Sequence, residues 1–197
     1  KKNGTYKIGA RNSTNLDPGS RLTSNPLIFN RAAEKELISA LYEMNSSPLD
    51  NAPGPRYGNG RCSPDYGFFS KNHLMIRNVA ADLKDIMKLA VKSEIFIYDS
   101  FFNIYSTGAG IPAHQHLNKL DENEDFHLRK QKYSLVYYLS VGDQNCSEPG
   151  TLKLYDPEEG VLPSDGMIMI FPAERMHAAT YGGKTDRIMI GANFYSL

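Results

Sequence analysis

After Ser93 the apolar residues recur with a period of two, in the short runs EIFIYDSFFNIYS, YSLVYYLSV, GTLKLYD, GMIMIF and RIMIGANFYS. Each run is rich in Ile, Val, Tyr or Phe and is bounded by Gly, Pro or Asp, as half-buried strands between turns are. Side chains alternate between two faces in such strands, so at least five strands must each find an apolar surface to cover. Upstream the period changes. In NPLIFNRAAEKELISALYEM, Leu27, Ala32, Leu37, Leu41 and Met44 fall at helical spacing behind Asn25 and Pro26, which predicts a helix over that stretch. NVAADLKDIMKLAVK predicts a second helix, with Val79, Leu83, Ile86, Met87 and Ala90 on one face. Helices packed outside a small antiparallel barrel or jelly roll satisfy both halves, so the fold class is mainly β with flanking N-terminal helices.

A chain of 197 residues suits a single domain. Within it, 1–93 reads as helical support with a flap loop and 94–197 as the barrel core. Lys and Arg total 22 and Asp and Glu total 22, so no overall field draws the chain to nucleic acid or to an anionic membrane. The longest apolar run, GMIMIFPA, is strand-sized and far short of the roughly 20 residues that span a bilayer. The opening KKNGTYKIGARNSTNL has neither an initiator Met nor an apolar signal core, so the chain reads as excised from something longer. A soluble protein is expected, with the cytoplasm as its default address. Cys62 and Cys146 lie far apart and are compatible with a bridge or with two free thiols.

Two stretches read as loops. Residues 45–66 are rich in Pro, Gly, Asn and Ser, and 118–132 (NKLDENEDFHLRKQK) mix both charges. Long loops in a compact domain are often functional, which makes these two the natural flaps over a barrel mouth. Arg56, Tyr57 and Arg61 in the first are candidate substrate contacts.

The sharpest chemical signal is IPAHQHLNKL. His114 and His116 are one residue apart, so in an extended conformation both imidazoles point to one face and can meet one ion. Histidine is a neutral nitrogen ligand suited to Fe, Zn, Cu or Ni. His177, which should begin a strand after Pro172, supplies a third ligand from a distant element, the way a barrel encloses a catalytic metal while leaving coordination sites open. His73 and His127 read as surface or packing residues. Arg187 stands ten residues after His177 on the last strand, deep in a barrel and aimed inward, where its guanidinium can grip a carboxylate with two prongs. The plainer account is a surface ion pair with Asp186 or Asp165.

Together, YSTGAGIPAHQH, YSLVYYLSV, EPGTLKLYDPEEGVLPSDGMIMIFPAERMH and GGKTDRIMI resemble the double-stranded β-helix barrel of the iron(II)- and 2-oxoglutarate-dependent oxygenases, nearest the prolyl-hydroxylase-like branch. The resemblance covers residues 96–194 or so and rests on the order and spacing of loose motifs. It implies a dioxygenase that hydroxylates a peptidyl or amino-acid-like substrate, with Fe(II) and 2-oxoglutarate as cofactors and ascorbate as an accessory reductant. It assigns His114 and His177 to iron, and Arg187 to the distal carboxylate of 2-oxoglutarate, with Tyr105 and Thr151 nearby. The departure is His116, which stands where the family usually has Asp or Glu. Three imidazoles leave both charges of ferrous iron for 2-oxoglutarate to balance. Alternatively His116 points outward and Asp121 or Asp99 completes the set. GAGIPAHQH with a later Asp121 also resembles a cupin, whose three-histidine barrel would need no 2-oxoglutarate; a dead barrel serving as an interaction domain is a third class.

Overall fold

The computed structural model describes residues 25–51 and 54–197, so the opening KKNGTYKIGARNSTNL lies outside the described residues. Among the described residues, seven strands form one sheet in the order β1 (Leu27–Asn30), β9 (Met167–Pro172), β6 (Lys132–Ser140), β11 (Arg187–Ser196), β4 (Ile95–Tyr105), β3 (Gly60–Cys62) and β2 (Ser47–Pro48). Four more form a second sheet in the order β5 (Ala109–His114), β10 (His177–Tyr181), β7 (Leu152–Leu154) and β8 (Glu159–Val161). Every pairing between these strands is antiparallel. The architecture is the expected double-stranded β-helix, with helices α1 (Lys35–Glu43) and α2 (Leu74–Val91) outside it.

Alternation in the large sheet builds two interiors. Phe102, Ile104, Leu135, Tyr137, Ile168, Ile170, Ile188 and Ile190 share one cluster with Ile76, Val79, Leu83, Ile86 and Met87 of α2. The residues between them on the same strands, among them Tyr105, Tyr138, Met169, Phe171 and Met189, join Leu152, Leu154 and Tyr181 inside the barrel. All five strand-like runs read from the sequence are strands, and α2 starts four residues before the helix expected from Asn78. It ends at Lys92, which takes a left-handed φ of 54°.

The first expected helix is corrected. Only Lys35–Glu43 is helical, and Leu27–Asn30 instead pairs with β9, Leu27 opposite Ile170 and Asn30 opposite Met167. An apolar edge strand left bare exposes a row of unpaired backbone groups. The LIFN segment covers that edge, and its alternation buries Phe29 while Ile28 faces out.

The described residues of 45–66 are also more ordered than their composition suggests. Ser47 and Pro48 pair with Cys62 and Arg61, and β3 in turn pairs with β4. Tyr57 exchanges two backbone hydrogen bonds of 3.0 Å with Gly110 on the other sheet. Gly60, at a φ of 139°, lies so close to the Ile104 carbonyl that a Cβ would collide with it. The pairing partner lies some 40 residues further on, beyond the reach of a local pattern. The charged stretch 118–132 forms two 3₁₀ turns and is mostly exposed, apart from a buried Asp121–Lys132 pair at 2.7 Å. Both cysteines are free. No described helix is long and apolar enough to cross a membrane.

Leu83 is fully buried against the sheet, whereas Leu89 on the same helix is 51% exposed. Leu83→Ala should therefore cost about 2–5 kcal/mol in chemical denaturation, and Leu89→Ala no more than about 0.5 kcal/mol. Equal losses would mean that α2 does not seal the outer core.

Candidate metal centre

Antiparallel pairing of β5 with β10 sets His114 directly opposite His177. His116 follows two residues past the end of β5, where its backbone N–H donates to the Ala173 carbonyl at 2.9 Å and turns the chain back over the barrel. The three rings converge. His116 Nε2 lies 3.1 Å from His114 Nε2 and 3.2 Å from His177 Nε2. At a metal–nitrogen bond of about 2.1 Å, ligands at right angles would stand about 3.0 Å apart, so the two spacings from His116 suit neighbouring ligands on one ion, and the ligand atoms of all three residues lie within 4.8 Å of one another. Among the described residues, this is the one group of three or more His, Cys, Asp or Glu side chains close enough to hold a metal. His73 and His127 are exposed and remote from it.

Each ring is held from behind. His114 Nδ1 donates to the Pro112 carbonyl and His177 Nδ1 to the Arg175 carbonyl, both at 2.9 Å. A carbonyl only accepts, so the proton of each neutral ring sits on Nδ1 and Nε2 presents a bare lone pair, as a metal ligand requires. His116 differs. Its Nδ1 lies 2.9 Å from Asn193 Nδ2, and that amide is oriented by Ser134, which donates to Oδ1 at 2.7 Å, and by Asp99, which accepts from Nδ2 at 2.8 Å. With Nδ2 donating, His116 carries its proton on Nε2, aimed between the two bare nitrogens. That proton stands where a cation would, so a metal has to displace it before His116 can act as the third ligand.

Burial is the leading influence on all three rings and disfavours their charged forms. It pushes His114 down, His116 well down and His177 to about 3. Neutral imidazoles are the ligating form. Asp121 is not available as a ligand, because it accepts from Lys132 Nζ, Tyr195 Oη and the Asn118 backbone N–H. Asp99 acts on the cluster only through Asn193. Desolvation raises its pKa, against the hydrogen bonds from Asn193.

The histidines open onto a cavity of about 70 Å³ with a mainly apolar wall that includes Phe101, Ile111, Leu152 and Met189. Tyr105 lines it, in register with Arg187 on the neighbouring strand. Arg187 does reach the interior and is 1% exposed, so no surface ion pair forms; Asp186 instead accepts from Tyr42 and Ser106, and Asp165 from the Val141 N–H. Its guanidinium donates to the Val141, Pro149 and Gly150 carbonyls between the rings of Tyr138 and Tyr181. Gly150 is required here, because a Cβ would occupy the guanidinium's place. Arg187 and Thr151 are not part of the cavity wall, whereas Arg56 is. Asn193, Ser134 and Asn103 also line it and escaped the motif analysis. Their signal was available: Asn103 and Asn193 interrupt the apolar face of otherwise apolar runs.

No family model matches the sequence, and no curated protein matches it. Solved structures do. A prolyl-4-hydroxylase from Pseudomonas putida aligns with a TM-score of 0.62 at 18% identity, over 89% of this chain and 94% of that one. A viral collagen prolyl hydroxylase from Paramecium Bursaria Chlorella virus-1, in a 2-oxoglutarate complex, aligns with a TM-score of 0.62 at 12% identity, over 91% and 98%. HygX from Streptomyces hygroscopicus, with nickel and 2-oxoglutarate bound, aligns with a TM-score of 0.63 at 12% identity, over 88% and 84%. The chain therefore has the fold of the 2-oxoglutarate–iron(II) oxygenases and prolyl hydroxylases. At these identities the likeness speaks for the fold alone.

In the metal-free protein the buried histidines couple stability to pH. The unfolded chain takes up protons below about 6.5, and the folded His177 refuses them until about 3. Stability from this source is complete above the unfolded value and falls as the pH drops through that window. His177→Gln should flatten the pH dependence of the unfolding free energy between those limits, measured in the presence of a chelator. An unchanged slope would show that His177 does not stay neutral.

Proposed function

We propose that the protein is an iron(II)- and 2-oxoglutarate-dependent dioxygenase that hydroxylates a peptidyl or amino-acid-like substrate. The observation that carries this reading is the convergence of the three Nε2 atoms at the inner wall of a mostly apolar cavity, in a fold shared with structures that hold 2-oxoglutarate. Ferrous iron with 2-oxoglutarate supplies oxidative decarboxylation to succinate and carbon dioxide, coupled to placing one oxygen atom of dioxygen in a substrate C–H bond. His114, His116 and His177 hold the metal through Nε2. His116 adds no negative charge, so both metal charges remain for anionic ligands to balance.

Tyr105, Arg187 and Thr151 are assigned to 2-oxoglutarate. Arg187 commits three of its five N–H groups to carbonyls, which leaves two for a carboxylate arriving beside Tyr138 and Tyr105. The apolar wall excludes water from the reacting region and strengthens every charge interaction inside it. Ascorbate fits as a reductant in solution. The partners are a peptide or small molecule, with no nucleic acid and no membrane.

His114→Ala and His177→Ala should each abolish stoichiometric iron binding, while His116→Asp retains it; retention of full iron by either alanine variant removes that residue from the site.

The cosubstrate is tested by titrating anaerobic ferrous protein with 2-oxoglutarate and following the metal-to-ligand charge-transfer absorption. Arg187→Met should raise the dissociation constant roughly 10–100-fold, as loss of a charge-assisted hydrogen bond worth about 1.5–3 kcal/mol implies, with iron content unchanged. Wild-type protein that shows no band at millimolar 2-oxoglutarate overturns the oxygenase reading in favour of a 2-oxoglutarate-independent three-histidine protein.

A further inference from the structure

The cavity wall contains Arg56 in addition to the histidines and, among the described residues, no carboxylate. Arg56 comes from the segment between β2 and β3 and is 9% exposed. Its position is built rather than incidental. The guanidinium carbon lies 4.6 Å from the Phe101 ring centroid and 5.9 Å from that of Tyr66, and the two rings meet edge to face at 5.8 Å. Phe101 in turn fills the space above Gly191, where a Cβ would strike its ring. The next residue, Tyr57, is tied by its backbone to Gly110 of β5, so the arginine is delivered to the barrel by chain already paired to it.

Asn103 supplies the second observation. It also lines the cavity, is 7% exposed, and its Oδ1 is buried with no hydrogen-bond partner. A buried acceptor without a donor is destabilising, so a ligand that brings a donor to it gains what the protein alone forgoes. A cation and an orphaned acceptor on one wall, opposite a cationic metal centre, are complementary to a carboxylate with an N–H close by.

We propose that Arg56 and Asn103 form a substrate subsite that takes the carboxylate and the neighbouring N–H of an α-amino acid, free or at a peptide C-terminus. The assignment rests on the oxygenase reading for its chemistry but not for its binding. Arg56 grips the carboxylate, Asn103 Oδ1 accepts from the nitrogen, and the apolar wall receives the side chain that faces the metal. A carboxylate could also come from 2-oxoglutarate, whose far end would then reach Arg56 rather than Arg187.

Isothermal titration calorimetry separates these sources without relying on turnover. The whole protein, zinc-loaded and saturated with 2-oxoglutarate, is titrated with the free L-amino acids and with their carboxamides. At least one free acid should bind tenfold or more tightly than its carboxamide. Arg56→Gln should erase that preference and Asn103→Leu should weaken both forms, while 2-oxoglutarate affinity stays within twofold of wild type and circular dichroism is unchanged. If Arg56→Gln instead weakens 2-oxoglutarate tenfold and spares the amino acids, the carboxylate held there is the cosubstrate's and the substrate assignment is overturned. Binding of acid and carboxamide alike, or of neither, with 2-oxoglutarate unaffected by Arg56→Gln, overturns the subsite altogether. A wild-type protein that binds amino acids in this way yet gives no charge-transfer band with ferrous iron keeps the subsite and discards the oxygenase.

Discussion

Strand β11 has no face left for water. Nine of its ten residues are buried, with Ile188, Ile190 and Phe194 packed among α2 and its neighbours, and Arg187, Met189, Gly191 and Asn193 turned to the barrel. It is hydrogen-bonded along its length to β4 on one side and β6 on the other. Two interiors of opposite character are thus separated by the thickness of one strand. One is an apolar layer of aliphatic and aromatic side chains; the other holds a guanidinium, an amide and, across the barrel, three imidazoles. A shift of one residue in its register would exchange the two sets, driving Arg187 and Asn193 into hydrocarbon.

The polar groups inside the barrel are affordable because nearly all are satisfied. Arg187 is held by three carbonyls, Asn193 joins Ser134, Asp99 and His116, and Asp121 with Lys132 and Tyr195 closes a buried set at the rim. Such networks rigidify a core when complete and destabilise it when broken. Asn103 Oδ1 is buried without a hydrogen-bond partner in the cavity wall, where a ligand rather than the protein would complete it.

The three-histidine cluster shows how a metal-binding geometry can stand ready in a protein without holding excess charge. Burial keeps the rings neutral, two carbonyls set two tautomers, and the proton of the third ring fills the gap between them. Asp99 stands one step behind the cluster and reaches His116 through the Asn193 amide.

The residue pattern by itself determined the period-two strands, the face of α2, and the histidine pair one residue apart, because each is a local regularity that alternation or helical pitch imposes on neighbouring residues. Tertiary structure decided what depends on partners distant in the chain. LIFN looks helical until the bare edge of β9 claims it, and residues 45–66 look structureless until β4 and Gly110 pair with them. Arg187 was legible as a barrel residue, but its three carbonyl partners were not. Arg56 was one arginine in a glycine- and proline-rich loop, and only the fold, by closing two sheets around it, turned it into the cation on the cavity wall.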